Sequence, residues 1–274
     1  MKSKLLAVLM VVLLLGMTLA ACGGNEPAAE KESAGGGGAP VEKTADDSES
    51  AEEPESKTED SDAEDSKGKN GIDPTKKVKT SKDGKLKIVD KGYSYGEGEV
   101  SAVAILGNYN SEDAYDYTTV TVTAYDDDES VLGTSEAYVT FIQPGEVQAA
   151  YTTVETNGKK PEKVDFELNE GDEANVDENK VPSYQIVAMN CSEQVVDKEM
   201  NWTKITGQIE NKSSNDIDDV ELVLVLRKKG EMVYLDSSTL SNVKGKKKKA
   251  FEVELLEGAP KYDSIQVYTS DESM

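Results

Sequence analysis

A cysteine placed directly behind an apolar run is the residue of this sequence with the clearest chemistry. Two lysines precede an apolar stretch from Leu5 to Leu15, and two alanines stand directly before Cys22. A positive start, an apolar run and a small-residue cut site are the pattern of a secretory signal peptide. The run is shorter than the roughly 20 residues that a membrane-spanning helix needs. The sequence therefore predicts an export signal over residues 1–21 that ends directly before Cys22.

The residues around the cut site resemble the lipobox of bacterial lipoproteins, namely Leu19, Ala20, Ala21 and Cys22. In that family the signal peptidase cuts before the cysteine. The thiol then carries a diacylglycerol with acyl chains such as palmitate, and the new amine can be acylated too. Two chains anchor a protein stably where one binds only reversibly. The resemblance implies a protein anchored on the extracytoplasmic face of the cell membrane, as in Gram-positive bacteria. A signal peptide without lipidation is the alternative.

The balance of charge is strongly acidic. The chain has 54 acidic residues against 30 lysines and arginines and no histidine, which gives a net charge of −24. Such a surface repels nucleic acid and anionic lipid headgroups, so the sequence predicts no nucleic-acid partner. The lack of histidine excludes Ser–His and Cys–His activation of a nucleophile and the common zinc sites. The sequence therefore predicts a protein that is not an enzyme and has no cofactor.

Residues 22–82 are predicted to form the lipidated cysteine and a disordered acidic tether. Between Gly23 and Gly71 the only large apolar residue is Val41, and Glu, Asp, Ser, Gly, Ala and Lys supply most of the rest. Low hydrophobicity and high net charge leave such a segment unable to offset its ordering entropy. The tether would hold a folded part away from the bilayer.

The chain changes character at about Lys85. From there, short runs of Val, Ile, Thr, Tyr and Leu alternate with Gly, Asn, Asp and Pro, which is typical of strands and turns. Helical periodicity over a dozen residues is absent. We expect an all-β fold of two tandem β-sandwich domains, at residues 83–169 and 182–270, joined by an acidic connector at 170–181.

An internal repeat supports two such domains. Residues 122–129 align without gaps on residues 223–230, and residues 145–151 align on residues 245–251. A period near one hundred residues indicates a domain duplication, because solenoid repeats are much shorter.

Both copies resemble the FxLYD domain of bacterial surface lipoproteins, over residues 84–168 and 182–268. The second copy shows the run Gly207–Asn211, then a strand, and then a glycine-marked turn before Ala250 and Phe251. In the first copy Val122–Asp126 stands where the name-giving motif would be, and the asparagine landmark is Asn108 or Asn110. The second copy has Val223, Val225, Leu226 and Arg227 in the motif positions. The resemblance implies immunoglobulin-like β-sandwiches and does not imply an enzyme.

A basic cluster interrupts the acidic second copy. Its members are Lys244, Lys246, Lys247, Lys248 and Lys249. We consider it a possible polymer-binding loop, whose ligand would be an anionic wall polymer, a lipid headgroup or the acidic tether. The alternative is a solvated turn whose lysines protect the edge of a sheet.

One strand of the second copy is apolar on both faces, since Val223 and Val225 alternate with Leu222, Leu224 and Leu226. Continuous apolar runs occur where both faces are covered. Coverage of the second face by Trp202, by Met232 or by the other domain is one explanation. The other is an exposed apolar patch at Leu222, Leu224 and Leu226 that binds a partner protein.

Two acidic segments and one cysteine complete the candidates. The turn Asp126–Ser130 and the connector segment Glu170–Asp177 are weak calcium candidates, because the turn fails the loop template and is better explained as a hairpin turn. Cys191 is predicted to be a partly buried small hydrophobic residue, since no cation stands beside it.

The features together predict a non-catalytic membrane-anchored lipoprotein whose tandem sandwiches bind a protein or polymer at the cell envelope. A solute-binding lipoprotein of a transporter is an alternative, but it would normally need two α/β lobes around a cleft. An accessory subunit of an envelope hydrolase is a third.

Overall fold

The computed structural model describes residues 72–255 and 259–273. All regular structure in this part of the chain is β-strand apart from one 3-10 turn at Ser183–Gln185. Within these residues no helix is long and apolar enough to cross a membrane. The predicted signal peptide, the lipobox with Cys22 and the tether as far as residue 71 lie outside the described residues.

The first sandwich has two three-stranded antiparallel sheets and one short extra strand. One sheet has the order β1-β2-β5, the other has the order β4-β3-β6, and β7 pairs with the start of β3. The strands are β1 (Leu86–Gly96), β2 (Glu99–Asn108), β3 (Ala114–Tyr125), β4 (Val131–Ile142), β5 (Val147–Glu155), β6 (Lys163–Asn169) and β7 (Asp172–Ala174).

The second sandwich repeats this topology. Its sheets have the orders β12-β9-β8 and β11-β10-β13, again with antiparallel pairs throughout. The strands are β8 (Ile186–Asp197), β9 (Trp202–Asn211), β10 (Ile217–Lys228), β11 (Glu231–Val243), β12 (Lys248–Leu255) and β13 (Ser264–Asp271). The predicted all-β fold with two tandem sandwiches is confirmed.

Alternating side chains build the core of each sandwich. In β3, Val120, Val122 and Ala124 are buried while the intervening threonines are partly exposed, because successive side chains of a strand point to opposite faces. The buried set packs against residues of β2 and β5 in the facing sheet. In β10 the equivalent inward set is Leu222, Leu224 and Leu226, which lies in the core of the second sandwich.

A third core joins the two sandwiches. The outward residues of β10, Val223 and Val225, pack with Val103 and Ile105 of β2, and further members are Val147, Ala149, Leu235 and Tyr268. Sheet β1-β2-β5 therefore lies on sheet β11-β10-β13. The four sheets form a stack with three apolar layers between them, and this explains why β10 is apolar on both faces.

The segment before β1 belongs to the folded unit. Ile72 and Val78 pack against the third core, and the Ile72 carbonyl accepts a hydrogen bond from the Tyr268 hydroxyl at 3.1 Å. The Val78 N–H donates to the Gly145 carbonyl at 2.9 Å. The predicted end of the tether at residue 82 was therefore wrong, because residues 72–82 make these apolar and backbone contacts. The predicted connector also contains a strand, β7.

The strand register corrects the alignment of the two copies by one residue. Val122 pairs with Ser135 and Phe166, whereas the residue with the equivalent partners in the second copy is Leu224, not Val223. Both Val122 and Leu224 face the core, and a slip of one residue would have turned either outward.

The asparagine landmark is also settled by geometry. The side-chain amide of Asn108 donates to the carbonyls of Asp113 and Ile142, and that of Asn211 donates to the carbonyls of Asn215 and Val243. Asn108 is therefore the counterpart of Asn211. In each copy this side chain ties the loop after the second strand to the end of the fourth strand.

A buried ion pair crosses the third core. Arg227 at the end of β10 has 2% of its side chain exposed, and its Nη2 lies 2.6 Å from Oδ2 of Asp90 in β1. A bulge between Ile88 and Asp90 sets the register at this point. Nε donates to Gln266 at 2.5 Å and Nη1 donates to the Gly230 carbonyl at 2.9 Å. The guanidinium is therefore satisfied by residues of both sandwiches.

We expect Arg227→Ala to lower the free energy of unfolding by about 3 kcal/mol, because it removes a buried guanidinium that hydrogen-bonds both sandwiches and leaves the half-buried Asp90 without this ion-pair partner. Urea unfolding followed by circular dichroism measures the loss. The matched control is Lys163→Gln, which breaks the exposed pair with Asp165 and should change stability little. Equal losses in the two variants would contradict this account of the pair.

Candidate functional site

The candidate site is the lysine turn, which we define as residues 244–249 and which covers the loop between β11 and β12 and the first two residues of β12. Lys244, Lys246, Lys247 and Lys248 are exposed, and Lys249 is half-buried. Lys246 adopts a left-handed backbone with φ of 57°. The predicted polymer-binding lysines are therefore brought together on one accessible turn at an end of the second sandwich.

An acidic side chain is already bound at this turn. Oδ2 of Asp216 lies 2.8 Å from Nζ of Lys244, and its Oδ1 accepts the Gly245 N–H at 2.9 Å. The hydrogen bonds from Lys244 and from the Gly245 backbone hold the pKa of Asp216 below its usual range. Lys244 and the backbone N–H thus form a two-point cradle for an anionic group. Nothing in the sequence near Asp216 had indicated this role.

The other lysines have weak local partners. Nζ of Lys248 lies 3.7 Å from Oε1 of Glu210, and the ammonium groups of Lys246 and Lys249 donate to the carbonyls of Lys212 and Ser241. Exposed ion pairs of this kind contribute little to stability, because solvent and salt screen them. The ammonium groups can therefore exchange these partners for an external anion.

The equivalent loop of the first sandwich, between β4 and β5, contacts the second sandwich instead of solvent. The Asn108 N–H donates to the Glu146 carbonyl and the Asn211 N–H donates to the Lys247 carbonyl, each at 3.0 Å, so Glu146 and Lys247 occupy matching positions. Glu146 is buried, and its Oε1 accepts the Ser183 N–H at 2.5 Å. In the first copy this loop joins the two sandwiches, whereas in the second copy it is a free end that carries lysines.

Burial controls the titration of Glu146. Its Oε2 accepts the Gln143 N–H at 2.5 Å and the Gln148 side-chain amide at 3.1 Å, in addition to the bond from Ser183. These donors favour the ionised form, but removal from water outweighs them and raises the pKa of Glu146 to about 7. The joint between the sandwiches therefore changes charge near neutral pH.

The predicted partner patch was wrong. Leu222, Leu224 and Leu226 are each at most 1% exposed and lie inside the second sandwich. The outward residues of the same strand, Val223 and Val225, are covered by the first sandwich. No part of β10 from residue 222 to residue 226 is available to a partner protein.

The remaining candidates have local structural roles. Oδ1 of Asp126 accepts the N–H groups of Asp128 and Ser130, so this carboxylate stabilises the hairpin turn. Among the described residues, no group of three or more Cys, Asp or Glu side chains could hold a metal ion. Cys191 is half-buried against the second core, and burial raises the pKa of its thiol.

A cleft of about 610 Å³ lies elsewhere on the second sandwich. Residues of β9, β11 and β12 line it, among them Lys204, Leu240, Phe251 and Glu252. Lys204 and Glu252 pair with each other at 2.8 Å, so the two charges in the lining are mutually satisfied. The cleft is within the usual volume of small-molecule sites, but its two charged groups are paired with each other.

No protein-family model and no curated protein sequence matches the chain.

We expect the free energy of unfolding to fall as the pH rises from about 5 to about 8. Burial raises the pKa of Glu146 to about 7, and burial together with Glu272 raises that of Glu221 to about 7. Each carboxyl binds its proton more tightly in the folded state, so its stabilising effect is complete below pH 4.5 and is lost through pH 7. Glu146 alone can account for about 3 kcal/mol at most.

Urea unfolding at a series of pH values tests this expectation. Glu146→Gln should make the decline shallower, whereas Glu254→Gln, at an exposed position of β12, should leave it unchanged. A stability that rises with pH over the same window would contradict the raised pKa values of the buried Glu146 and the half-buried Glu221.

Proposed function

We propose that this protein is a non-catalytic lipoprotein anchored to the extracytoplasmic face of the cell membrane through Cys22, and that its tandem sandwiches bind a protein or polymer at the cell envelope. The observation that carries the proposal is the apolar run that ends at Ala20, Ala21 and Cys22, ahead of an acidic segment and a folded β unit. The anchor fixes the membrane side, and the acidic segment between residues 23 and 71 sets the distance from the bilayer.

The repeated sandwich supports the resemblance to the FxLYD domain. Asn108 and Asn211 make the same pair of hydrogen bonds in the two copies, and both lie at the end of the second strand. Immunoglobulin-like domains of this kind serve as binding modules in many surface proteins, although fold alone does not determine function.

The stacked sheets favour a binding module over a solute-binding lipoprotein. A solute-binding protein usually closes two lobes around its ligand, whereas here the facing surfaces of the two sandwiches are filled by the third core. The lysine turn is an accessible group of positive charges in an otherwise acidic chain, and its ion pairs are exposed to solvent. We therefore expect a ligand to bind to the outer loops and faces of the two sandwiches.

The anchor is tested by intact mass and cell fractionation after expression in a Gram-positive host. We expect the wild-type chain to begin at residue 22, to carry the mass of two or three acyl chains and to stay with the membranes. Cys22→Ala should remove the acyl mass and release the protein from the membranes, because the acyl chains on this residue are the proposed anchor.

Cys191→Ala is the matched control, since it removes the only other cysteine and should leave the acyl mass and the membrane association unchanged. A wild-type protein that is found in the medium without acyl mass would contradict the anchored lipoprotein and favour a diffusible binding protein.

A further inference from the structure

We propose that the lysine turn is a binding site for a chain polymer that carries phosphate groups, and that Asp216 occupies its first anion position until the polymer displaces it. This inference rests on the proposed envelope-binding function, because it names the class of ligand that the second sandwich would bind.

The geometry of the first anion position is already present. Asp216 bridges Nζ of Lys244 and the N–H of Gly245 with its two oxygens, at 2.8 and 2.9 Å. A phosphate group also offers two free oxygens to a pair of donors, and lysine binds it as a compact positive charge. A phosphate can therefore take the place of the carboxylate without any change of the backbone.

The first sandwich has no counterpart of the anion position that Lys244 and the Gly245 N–H form in the second sandwich. By strand register, Gly245 corresponds to Pro144, which has no N–H to donate, and Asp216 corresponds to Ala114, which has no charge. The first-copy loop instead carries the buried Glu146, which faces Ser183 of the next sandwich. The cradle exists only where the loop is a free end.

Displacement of Asp216 is inexpensive. The side chains of Lys244 and Asp216 are 59% and 55% exposed, so water and salt already weaken their attraction. The same exposure lets an incoming anion approach from solvent. Asp216 therefore acts as a weak internal competitor and does not block the turn.

The neighbouring lysines favour a chain over a single ion. Lys246, Lys247 and Lys248 follow the first position and are exposed, whereas Lys249 is the second residue of β12 and points to the other face of the strand. Each phosphate that a lysine neutralises releases counterions, so several consecutive contacts add to the affinity and make it depend on salt. A single phosphate would use only the cradle.

The surrounding acids favour a thin chain over a bilayer surface. Glu210 lies beside Lys248, and Asp218 acts on Lys244 through its charge. Glu252 and Glu254 follow on the exposed face of β12. A flat anionic membrane would bring its charge near these carboxylates as well as near the lysines, whereas a narrow polymer can follow the lysines alone.

The test is the binding of end-labelled linear inorganic polyphosphate to the purified full chain in nonionic detergent, followed by fluorescence anisotropy at several salt concentrations. We expect the wild-type protein to bind with an affinity that falls as salt rises. Replacement of Lys244, Lys246, Lys247, Lys248 and Lys249 by glutamine should weaken binding more than about tenfold and remove most of the salt dependence.

The matched control changes the same charge elsewhere, through replacement by glutamine of the exposed Lys79, Lys85, Lys159, Lys160 and Lys198. It should retain most of the wild-type affinity. Equal weakening in the two five-lysine variants would overturn the site and leave only a dependence on net charge.

A more specific experiment removes the Asp216 carboxylate, which competes with phosphate for the first anion position. Asp216→Ala should tighten polyphosphate binding about two- to fivefold, because it frees the cradle, whereas Asp83→Ala, at an exposed position before β1, should produce a smaller change. Asp216→Asn keeps an acceptor for the Gly245 N–H and serves if the alanine variant does not fold. Unchanged or weaker binding in both Asp216 variants would overturn the internal competitor.

Two further probes separate the sources of anionic groups. Polyglutamate of matched charge that binds as tightly as polyphosphate would overturn the assignment to phosphate. Vesicles are tested without detergent on the unacylated Cys22→Ala chain, and phosphatidylglycerol vesicles that bind it more tightly than both polyphosphate and phosphatidylcholine vesicles would assign the turn to the membrane. A wild-type protein that is acylated at Cys22 but does not bind polyphosphate would refute this inference and leave the proposed anchor intact.

Discussion

The third core is the interaction on which the rest of the structure depends. Val103 and Ile105 of the first sandwich meet Val223 and Val225 of the second, and Tyr268 closes the layer by its hydrogen bond to Ile72. Domains that touch through small polar interfaces are expected to move relative to each other. Here the interface is apolar and continuous with strands from both sandwiches, so the two copies form one unit.

This arrangement gives the two copies different surfaces despite their common topology. Joining the sandwiches uses the β4–β5 loop of the first copy, where Glu146 accepts the Ser183 N–H, and it leaves the matching loop of the second copy free. The Asp90–Arg227 pair fixes the lateral position of one sheet on the other, because apolar contacts alone do not specify register. Duplication followed by stacking therefore produces one structural loop and one exposed lysine turn from equivalent positions.

Much of the fold could be predicted from the sequence, and the exceptions have physical reasons. The alternating pattern of β3 and the continuous apolar pattern of β10 both predicted strands. For β10, the sequence left open whether its second apolar face is covered within the protein or binds a partner. Coverage by the first sandwich is what the structure supports, since Leu222, Leu224 and Leu226 point inward. Arg227 at the end of that apolar run was a signal of a buried partner, but Asp90 is too distant in sequence to be identified.

Other features depend on contacts that a sequence does not display. The alignment of the copies was off by one residue, because only the cross-strand partners of Val122 and Leu224 fix which face each occupies. The folded role of residues 72–82 rests on two apolar side chains and a few backbone bonds. The lysine turn was visible as composition, but its cradle for Asp216 requires a side chain from the loop between β9 and β10.

The most direct test of the account is whether the two sandwiches unfold as one cooperative unit. Trp202 is the only tryptophan and lies in the second sandwich, so its fluorescence reports that half, whereas far-ultraviolet circular dichroism reports both. Because the third core couples the halves, thermal unfolding should give coincident transitions by the two probes, and Val225→Asp should separate them. Separate transitions in the wild-type protein would contradict the claim that the third core makes the two copies one unit.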